Sequence, residues 1–279
     1  MNLGEIHDHP RFPTFLRDLI TDALESLWTF GNTYRPILPP LLKALDQAGT
    51  RKVLDLCSGG GGPWVGFAKE FPGDEGFNIE ICLSDKYPNR VAFERAHTAQ
   101  HRVGFEARSI DAMKVPDDLV GFRTIFSSFH HFDPDEARRV LGNAVEGKQG
   151  IGIFEAARRT PRTMLTICCV PVIALLLAPS IRPFRWSRLF WTYLLPVVPF
   201  VLWYDGIVSC LRAYSREELL AMMRDIATDD YEWHVGDEES GWLPITYLIG
   251  CPRTGRSTLG SCDASSLASR FESVTKRLR

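Results

Sequence analysis

The chain has 279 residues, a formal net charge of −2 and 45% hydrophobic residues, which is enough for one sizeable domain with insertions or for two small domains. A charge this close to zero gives no support for nucleic-acid binding. The 7 cysteines show no paired Cys-x-x-Cys spacing, which disfavours a zinc or disulfide framework and favours a reducing compartment.

The first fifty residues are predicted to be helical. Apolar side chains recur at helical spacing between Phe15 and Leu27, and Pro39-Pro40 marks the start of a second helix over Leu41–Ala48. The preceding run His7-Asp8-His9 contains metal-ligating residue types. Three polar residues that are adjacent in sequence rarely face one centre, so we predict no metal site there.

The next run, Val53-Leu54-Asp55-Leu56-Cys57-Ser58-Gly59-Gly60-Gly61-Gly62, reads as an apolar strand that turns through glycines into a helix near Pro63. Glycine lets a ligand lie against the backbone, and a helix N-terminus offers free N–H groups. The run lacks the Gly-Lys-Ser/Thr of a phosphate-binding loop, and it contains the dinucleotide pattern G-x-G-x-x-G only in part. It therefore predicts a nucleotide- or nucleoside-binding turn.

From Lys52 onward strands and helices alternate, which predicts parallel βαβ units in an α/β fold. The further predicted strands are Phe77–Leu83, Val103–Ser109, Phe122–Ser128, Gly150–Glu155, Tyr231–Val235 and Ile245–Cys251. The predicted helices between them are Pro63–Phe71, Pro88–Gln100 and Pro134–Val145. Asp133 is expected to cap the last of these helices.

The features after the turn are spaced as in the class I S-adenosylmethionine (SAM)-dependent methyltransferases, and residues 51–155 resemble that family. Asp55, Gly59 and Gly61 fall on its D/E-x-G-x-G-x-G turn, and Cys57 stands where its first glycine is usual. The resemblance implies a seven-stranded, mostly parallel, doubly wound sheet whose last two strands form an antiparallel edge hairpin. It also implies an N-terminal helical lid over cofactor and acceptor.

Asp85 ends the second strand, where a carboxylate suits the two donor hydroxyls of a ribose. The resemblance implies that Ile110 and Asp111 lie beside the adenine, with Asp111 accepting from its amine. Tyr87 either packs on the adenine or is an ordinary aromatic residue at a helix start. The predicted SAM-binding residues are Asp55, Cys57, Ser58, Gly59, Gly61, Asp85, Lys86, Tyr87, Ile110, Asp111 and Ser127.

The candidate catalytic residues are His130, His131 and Glu155, because ligands of open parallel sheets bind at the carboxyl ends of the strands. Either histidine is a candidate general base, or it packs against or caps the following helix. Glu155 either faces the substrate or pairs with Arg158 or Arg159. A hydroxyl acceptor needs a base, whereas a carboxylate acceptor needs none.

An apolar insertion follows, with no acidic residue and no lysine between Glu155 and Asp205. Its two apolar runs, Met164–Pro179 and Leu189–Tyr204, are flanked by arginines that are expected to meet anionic head groups. Each run spans about 24 Å as a helix, which is short of a hydrocarbon core of about 30 Å. A re-entrant hairpin that holds residues 163–204 at the cytosolic membrane face is favoured. A buried cap, a dimer interface and a two-span hairpin stay open.

The predicted organisation is a lid over 1–50, a SAM-binding core over 51–157, an insertion over 158–210, the rest of the core over 211–253 and a flexible tail over 254–279. The predicted function is membrane-associated methyl transfer to a small or lipophilic acceptor, with O-methylation of a hydroxyl or carboxylate favoured. N- or C-methylation of a lipid or quinone, and a non-catalytic SAM-binding membrane protein, are the alternatives. Neither a nucleic-acid partner nor a metal is predicted, and a homodimer through the insertion is possible.

Overall fold

Helices and strands alternate along most of the chain, as they do in α/β proteins. The computed structural model describes residues 4–9, 11–70, 79–239 and 243–253, with the side chains of 68–70 excepted. The helices are α1 (Thr14–Phe30), α2 (Leu38–Gln47), α3 (Trp64–Glu70), α4 (Arg90–Ala99), α5 (Pro134–Glu146), α6 (Pro161–Leu177), α7 (Trp186–Leu189), α8 (Val197–Arg212) and α9 (Arg216–Ile226). The strands are β1 (Lys52–Leu56), β2 (Glu80–Leu83), β3 (Val103–Phe105), β4 (Phe122–Phe126), β5 (Ile151–Glu155), β6 (Tyr231–Glu238) and β7 (Ile245–Pro252).

Within the described residues, the strands form one seven-stranded sheet in the order β3-β2-β1-β4-β5-β7-β6. Strands β1 to β5 run parallel, and β7 is antiparallel to both β5 and β6. Consecutive side chains of a strand face opposite sides of the sheet, so Val53 joins one core cluster and Leu54 the other. The predicted class I methyltransferase fold, with its antiparallel edge hairpin, is confirmed.

Helices cover both faces of the sheet because its strands carry apolar side chains on both sides. One core cluster joins the sheet to α2, α3 and α4 through side chains such as Leu41, Trp64 and Phe93. The opposite cluster joins the sheet to α5 and α9 through Leu141 and Met222. This packing leaves the carboxyl ends of the parallel strands at one edge, where open sheets bind their ligands.

Strand β3 is shorter than predicted. It ends at Phe105 rather than Ser109, because the chain turns at Glu106, whose carboxylate accepts a hydrogen bond from the backbone N–H of Arg108. The guanidinium of Arg108 donates to the same carboxylate. These local bonds replace the strand pairing that the apolar pattern predicted.

The helix boundaries follow their caps. Asp133 caps α5 as predicted, and its partner Glu136 completes a capping box. Helix α9 has no counterpart among the predicted helices, although Ser215 and Glu218 form the same kind of box at its start and were the signal for it. The predicted tail, and the first residues of the predicted second strand, lie outside the described residues.

Helices α1, α6 and α8 form one layer above the glycine turn, which we call the roof. Helix α6 packs along α8, and α1 contacts both of them. The core cluster that they share contains Leu19 and Ile20 of α1, Ala174 of α6, and Val201 and Leu202 of α8. The predicted lid and the predicted helical hairpin are therefore parts of one packed unit.

The second helix of the insertion begins and ends later than its apolar run. Pro196 precedes α8, which continues through Asp205 to Arg212. Among the described residues no single helix has the length and hydropathy of a membrane span; the bent pair 186–194 and 197–212, whose halves meet at 71°, meets that criterion only when taken together.

Carboxylates pair with most of the arginines around the insertion. Arg188 is buried, and its guanidinium lies 2.7 Å from a carboxylate oxygen of Asp22 in α1. It also donates to the backbone carbonyls of Ile181 and Pro183. The other ion pairs are Arg158–Asp237, Arg159–Glu218, Arg162–Glu239 and Arg185–Asp22. The expectation that these arginines meet lipid head groups is therefore wrong for Arg188, which fastens the insertion to the lid.

Candidate active site

A cavity of about 230 Å³ lies between the glycine turn and the roof. The turn forms its floor, and the roof contributes mainly apolar side chains, among them Leu24, Ile167 and Val170. Polar side chains of the N-terminal segment and of the loop after β4 close one end. The cavity thus combines exposed backbone, an apolar wall and a polar end at the ligand-binding edge of the sheet.

The glycine turn uses backbone conformations that side chains disfavour. Gly59, Gly61 and Gly62 have φ angles of +54°, +117° and +57°. A Cβ atom added to Gly59 would meet no atom within 4 Å, so the cavity reaches the backbone at this residue. Cys57 has a φ of +57°, the left-handed conformation that a glycine adopts without the strain of about 1–2 kcal/mol that a side chain adds.

Asp55 holds the turn from below. One of its carboxylate oxygens accepts from Ser58 Oγ at 2.6 Å and the other from Thr124 Oγ1 at 2.6 Å. Burial raises the pKa of Asp55 to about 6, although both hydroxyls favour its charged form. The carboxylate is thus engaged in fixing the loop, and it contributes to the cavity wall from beneath the turn.

Asp85 joins the turn to the end of β2. Its carboxylate accepts from the backbone N–H of Gly59 at 2.9 Å and of Tyr87 at 2.8 Å. The backbone carbonyl of Asp85 accepts from Ile110. Burial raises the pKa of the Asp85 carboxyl. Each carboxylate oxygen keeps a lone pair for a further donor, so the geometry leaves the predicted ribose contact available.

The predicted cofactor residues fall into two groups. Those on the cavity wall are Asp55, Cys57, Ser58, Gly59 and Ser127. Those that do not line the cavity are Gly61, Asp85, Lys86, Tyr87, Ile110 and Asp111. In the second group Lys86 Nζ lies 3.6 Å from the Asp111 carboxylate, while the exposed ring of Tyr87 faces Arg17. The structure does not bring these six residues to the cavity wall, so their cofactor contacts stay predictions.

Ser127 follows β4 with a φ of +41°, an uncommon conformation for a residue with a side chain. Its Oγ hydrogen-bonds the hydroxyl of Tyr34, a residue of the linker between α1 and α2. Burial raises the pKa of Tyr34. This contact ties the lid side of the cavity to the strand ends.

Glu155 pairs with His130 rather than with an arginine. Its carboxylate accepts from His130 Nδ1 at 2.7 Å and from the backbone N–H of Phe129 at 2.6 Å. Burial alone would lower the pKa of His130, but the carboxylates of Glu155 and Glu5 outweigh it and raise this pKa to about 10. The two carboxylates thus favour the protonated form of His130.

The N-terminal segment reaches the same end of the cavity. Glu5 is buried, accepts from Ser209 Oγ at 2.8 Å and faces both His130 and His131. Burial would raise the pKa of Glu5, but these histidines lower it to about 2. The carboxylate of Asp8 hydrogen-bonds His131 Nδ1. Sequence reasoning missed Glu5, since a single acidic residue in a polar N-terminus carries no signal of its own.

Asp205 anchors this segment to α8. Its carboxylate accepts from the backbone N–H of Ile6 at 2.6 Å, from the backbone N–H of His7 at 3.2 Å and from His7 Nδ1 at 2.7 Å. Burial would lower the pKa of His7, but the bond to Asp205 raises it. The sequence did hold a signal here, because Asp205 is the acidic residue that ends the apolar insertion.

Replacing Asp205 by alanine is expected to release residues 4–9 and to lower the free energy of unfolding by about 3 kcal/mol, since a hydrogen bond to a charged group contributes about 1.5–3 kcal/mol. Hydrogen exchange of the N-terminal peptide and urea unfolding measure the two effects. Asp225→Ala removes an exposed pair with Arg138 and serves as control, with a loss below about 1 kcal/mol. Unchanged exchange at residues 4–9 in the Asp205 variant would refute the anchoring role.

No protein-family model matches the sequence, and no curated protein sequence matches it. Solved structures are similar in fold. Human N-acetylserotonin methyltransferase in complex with SAM is 12% identical with a TM-score of 0.49, and the match covers 85% of this chain and 56% of that enzyme. The mitomycin 7-O-methyltransferase MmcR is 15% identical with a TM-score of 0.48, and the match covers 81% of this chain and 54% of that enzyme.

A third structure is described as a putative Zn-dependent alcohol dehydrogenase from Rhodobacter sphaeroides, with 15% identity, a TM-score of 0.42, and coverage of 73% of this chain and 84% of that protein. The chain spans about half the length of the two methyltransferases. Similarities this low carry no conclusion about activity or substrate. The strand order and the glycine turn are those of the class I methyltransferase fold.

Proposed function

We propose that the chain is a SAM-dependent methyltransferase that modifies a lipophilic acceptor at a membrane surface. The observation that carries the proposal is the cavity itself, which has the open backbone of Gly59 on one side and an apolar roof on the other. A polar cofactor suits the turn, and an apolar acceptor suits the roof.

The residues around the turn fit SAM, which supplies an electrophilic methyl group on a sulfonium centre. The Cβ position of Gly59 is open space that a ligand can fill, and the Asp85 carboxylate keeps acceptor capacity for hydroxyl donors. Gly59 would contact the cofactor, Asp85 its ribose, and Ile110 with Asp111 its adenine. The protein's contribution is to position the reactants and to exclude water beneath the roof.

The acceptor side of the cavity favours an oxygen nucleophile on an apolar body. Ile167 and Val170 of α6 and Leu202 of α8 give the apolar wall, and Glu5 with His131 gives a polar end. Glu155 and Glu5 favour the protonated form of His130, so a hydroxyl acceptor would transfer its proton to His131 or to another group of that end. Glu155 then acts through His130, as a positioning residue.

The insertion is proposed to hold the enzyme on a phospholipid bilayer. Exposed apolar side chains concentrate there, with Leu176, Trp186 and Leu194 exposed to 74%, 77% and 69%. The Tyr193 hydroxyl donates to the backbone carbonyl of Leu175, which brings the end of α6 next to the 190–194 turn. Exposed aromatic and apolar side chains in one segment are typical of proteins that enter one leaflet.

The triple variant Leu176→Ser, Trp186→Ser, Leu194→Ser is expected to lose at least about tenfold in binding to anionic phospholipid vesicles, because each buried apolar side chain contributes about 1.5–3 kcal/mol. Vesicle flotation measures the effect. Val91→Ser with Val120→Ser removes exposed apolar side chains outside the insertion and is expected to float like wild type. If the triple variant floats as wild type does, the insertion is not the membrane-binding surface. If light scattering shows that the wild type is a dimer and the triple variant is not, these residues serve self-association instead.

Methyl-labelled SAM incubated with the protein and a whole-cell extract tests the activity. We expect label in the organic phase, carried by a lipophilic acceptor, and its chemical stability distinguishes ethers and esters from N- or C-methyl products. Label confined to aqueous acids or amines would reject the lipophilic acceptor. SAM binding without label in either phase, across extracts, would favour the non-catalytic alternative.

A further inference from the structure

The polar end of the cavity has the composition of a metal centre. We infer that Glu5, His130 and His131 form a binding site for one divalent first-row transition-metal ion. Their donor atoms lie within 4.8 Å of one another. His130 Nε2 is 3.3 Å from one Glu5 carboxylate oxygen, and His131 Nε2 is 3.6 Å from the other. Two ligands about 2.1 Å from a tetrahedral ion lie roughly 3.4 Å apart, so these separations match the edges of a coordination shell.

Carboxylates fix both imidazole rings from behind. Glu155 accepts from His130 Nδ1 at 2.7 Å, and Asp8 hydrogen-bonds His131 Nδ1. A bound cation would displace the proton from His130 Nε2, so that each ring would keep a proton on Nδ1 and present the lone pair of Nε2 to the ion beside Glu5. Metal-ligating histidines almost always have such a partner on their other nitrogen, because it sets the tautomer and the ring orientation.

His130 gives a second, independent indication that this site binds a ligand. His130 is 3% exposed, and its Nε2 is buried with no hydrogen-bond partner among the described residues. The Glu5 oxygen that lies 3.3 Å from Nε2 already accepts from Ser209 Oγ at 2.8 Å. A buried polar atom without a partner is costly, and a bound cation at this point would satisfy Nε2 and the Glu5 carboxylate together.

The donor set selects the kind of ion. Two imidazole nitrogens and one carboxylate suit zinc and ferrous iron, whereas calcium and magnesium prefer oxygen ligands. His7 and Asp205 stand beside the centre but bond to each other through His7 Nδ1. Three protein ligands leave further coordination positions, and all three of these residues lie on the cavity wall, so those positions open toward the cavity.

If the proposed function holds, an ion at this end of the cavity would also act on the acceptor. An oxygen acceptor at an open coordination position would have its pKa lowered by the cation, so that it could pass its proton to water near neutral pH. Neither histidine then needs to act as a general base. The metal site itself does not depend on methyl transfer, because its evidence is the arrangement of its own ligands.

Zinc binding to the full-length chain tests the inference directly. The protein is freed of metal with a chelator and titrated with zinc chloride by calorimetry, without SAM. We expect one zinc per chain, confirmed by elemental analysis, and a visible absorption band when cobalt(II) replaces zinc. Absence of saturable binding for both ions would overturn the site and leave a cluster of imidazolium–carboxylate pairs.

Variants locate the ion. His131→Gln is expected to weaken zinc binding at least about a hundredfold, and Asp8→Asn, which removes only the partner of His131, about tenfold. His9→Gln is the matched control, since His9 is an exposed histidine of the same segment, and it should bind as wild type does. Wild-type affinity in the His131 variant would overturn the assignment. Should that variant misfold by circular dichroism, Glu5→Gln replaces it, because its amide oxygen still accepts from Ser209.

SAM binding, measured on the same samples, separates the two proposals. Zinc binding without SAM binding keeps the metal site and rejects the proposed function. SAM binding without zinc binding rejects the metal site and leaves the proposed function standing.

Discussion

Gly59→Leu is expected to reduce SAM binding about tenfold to a hundredfold, because a new side chain in a filled site costs about 1–3 kcal/mol. The Cβ of residue 59 points into the open space above the turn, where the cofactor is proposed to lie. The φ of +54° adds strain of about 1–2 kcal/mol for any side chain. Calorimetric titration with SAM measures the affinity, and urea unfolding measures the strain.

Gly49→Leu provides the matched control. Gly49 has a φ of +63° and equally open space at its Cβ position, but it follows α2, away from the cavity. Both variants should therefore lose about 1–2 kcal/mol of stability, and only Gly59→Leu should lose affinity. Equal SAM affinity in the two variants would contradict the placement of the cofactor at the turn.

Arg188→Met is expected to lower the free energy of unfolding by about 3 kcal/mol, because a hydrogen bond to a charged group contributes about 1.5–3 kcal/mol and Arg95 still pairs with the other carboxylate oxygen of Asp22. The change leaves the Asp22 carboxylate without its 2.7 Å partner and also frees the carbonyls of Ile181 and Pro183. The roof over the cavity should loosen, so protease cleavage within the insertion should accelerate at temperatures where the core stays folded.

Arg182→Met is the control for this experiment, since Arg182 belongs to the same segment but is exposed. Its effect should stay below about 1 kcal/mol, as for other exposed charges. A loss below about 1 kcal/mol in Arg188→Met as well would show that apolar packing in the α1, α6 and α8 cluster, rather than the ion pair, holds the roof.

The sheet and the turn were predictable because their signals are local. The apolar strands, the glycines and the helix caps are each recognised from a few neighbouring residues. Strands that alternate with helices along the chain can form few sheets other than a parallel one. Cys57 illustrates the limit of a motif, because its position tolerates a side chain at the cost of a left-handed backbone. Strand β3 shows a second limit, since a local turn at Glu106 and Arg108 replaced the strand pairing that the apolar pattern predicted.

The polar end of the cavity was not predictable in the same way. Glu5 meets His130 and Ser209, and Ile6 meets Asp205, across most of the length of the chain. No periodicity links residues so far apart, and each alone reads as a solvated polar group. The role of the insertion was ambiguous for a different reason. Apolar runs that pack against other helices of the protein have the same composition as runs that enter a membrane.

A crystal structure of the protein with S-adenosylhomocysteine would show whether this cavity is a methyltransferase active site. We expect the ligand between Gly59 and the roof, with its ribose hydroxyls on the Asp85 carboxylate and its adenine beside Ile110 and Asp111. Ligand bound elsewhere, or crystals that exclude it while calorimetry detects no binding in solution, would contradict the claim that this cavity is a methyltransferase active site.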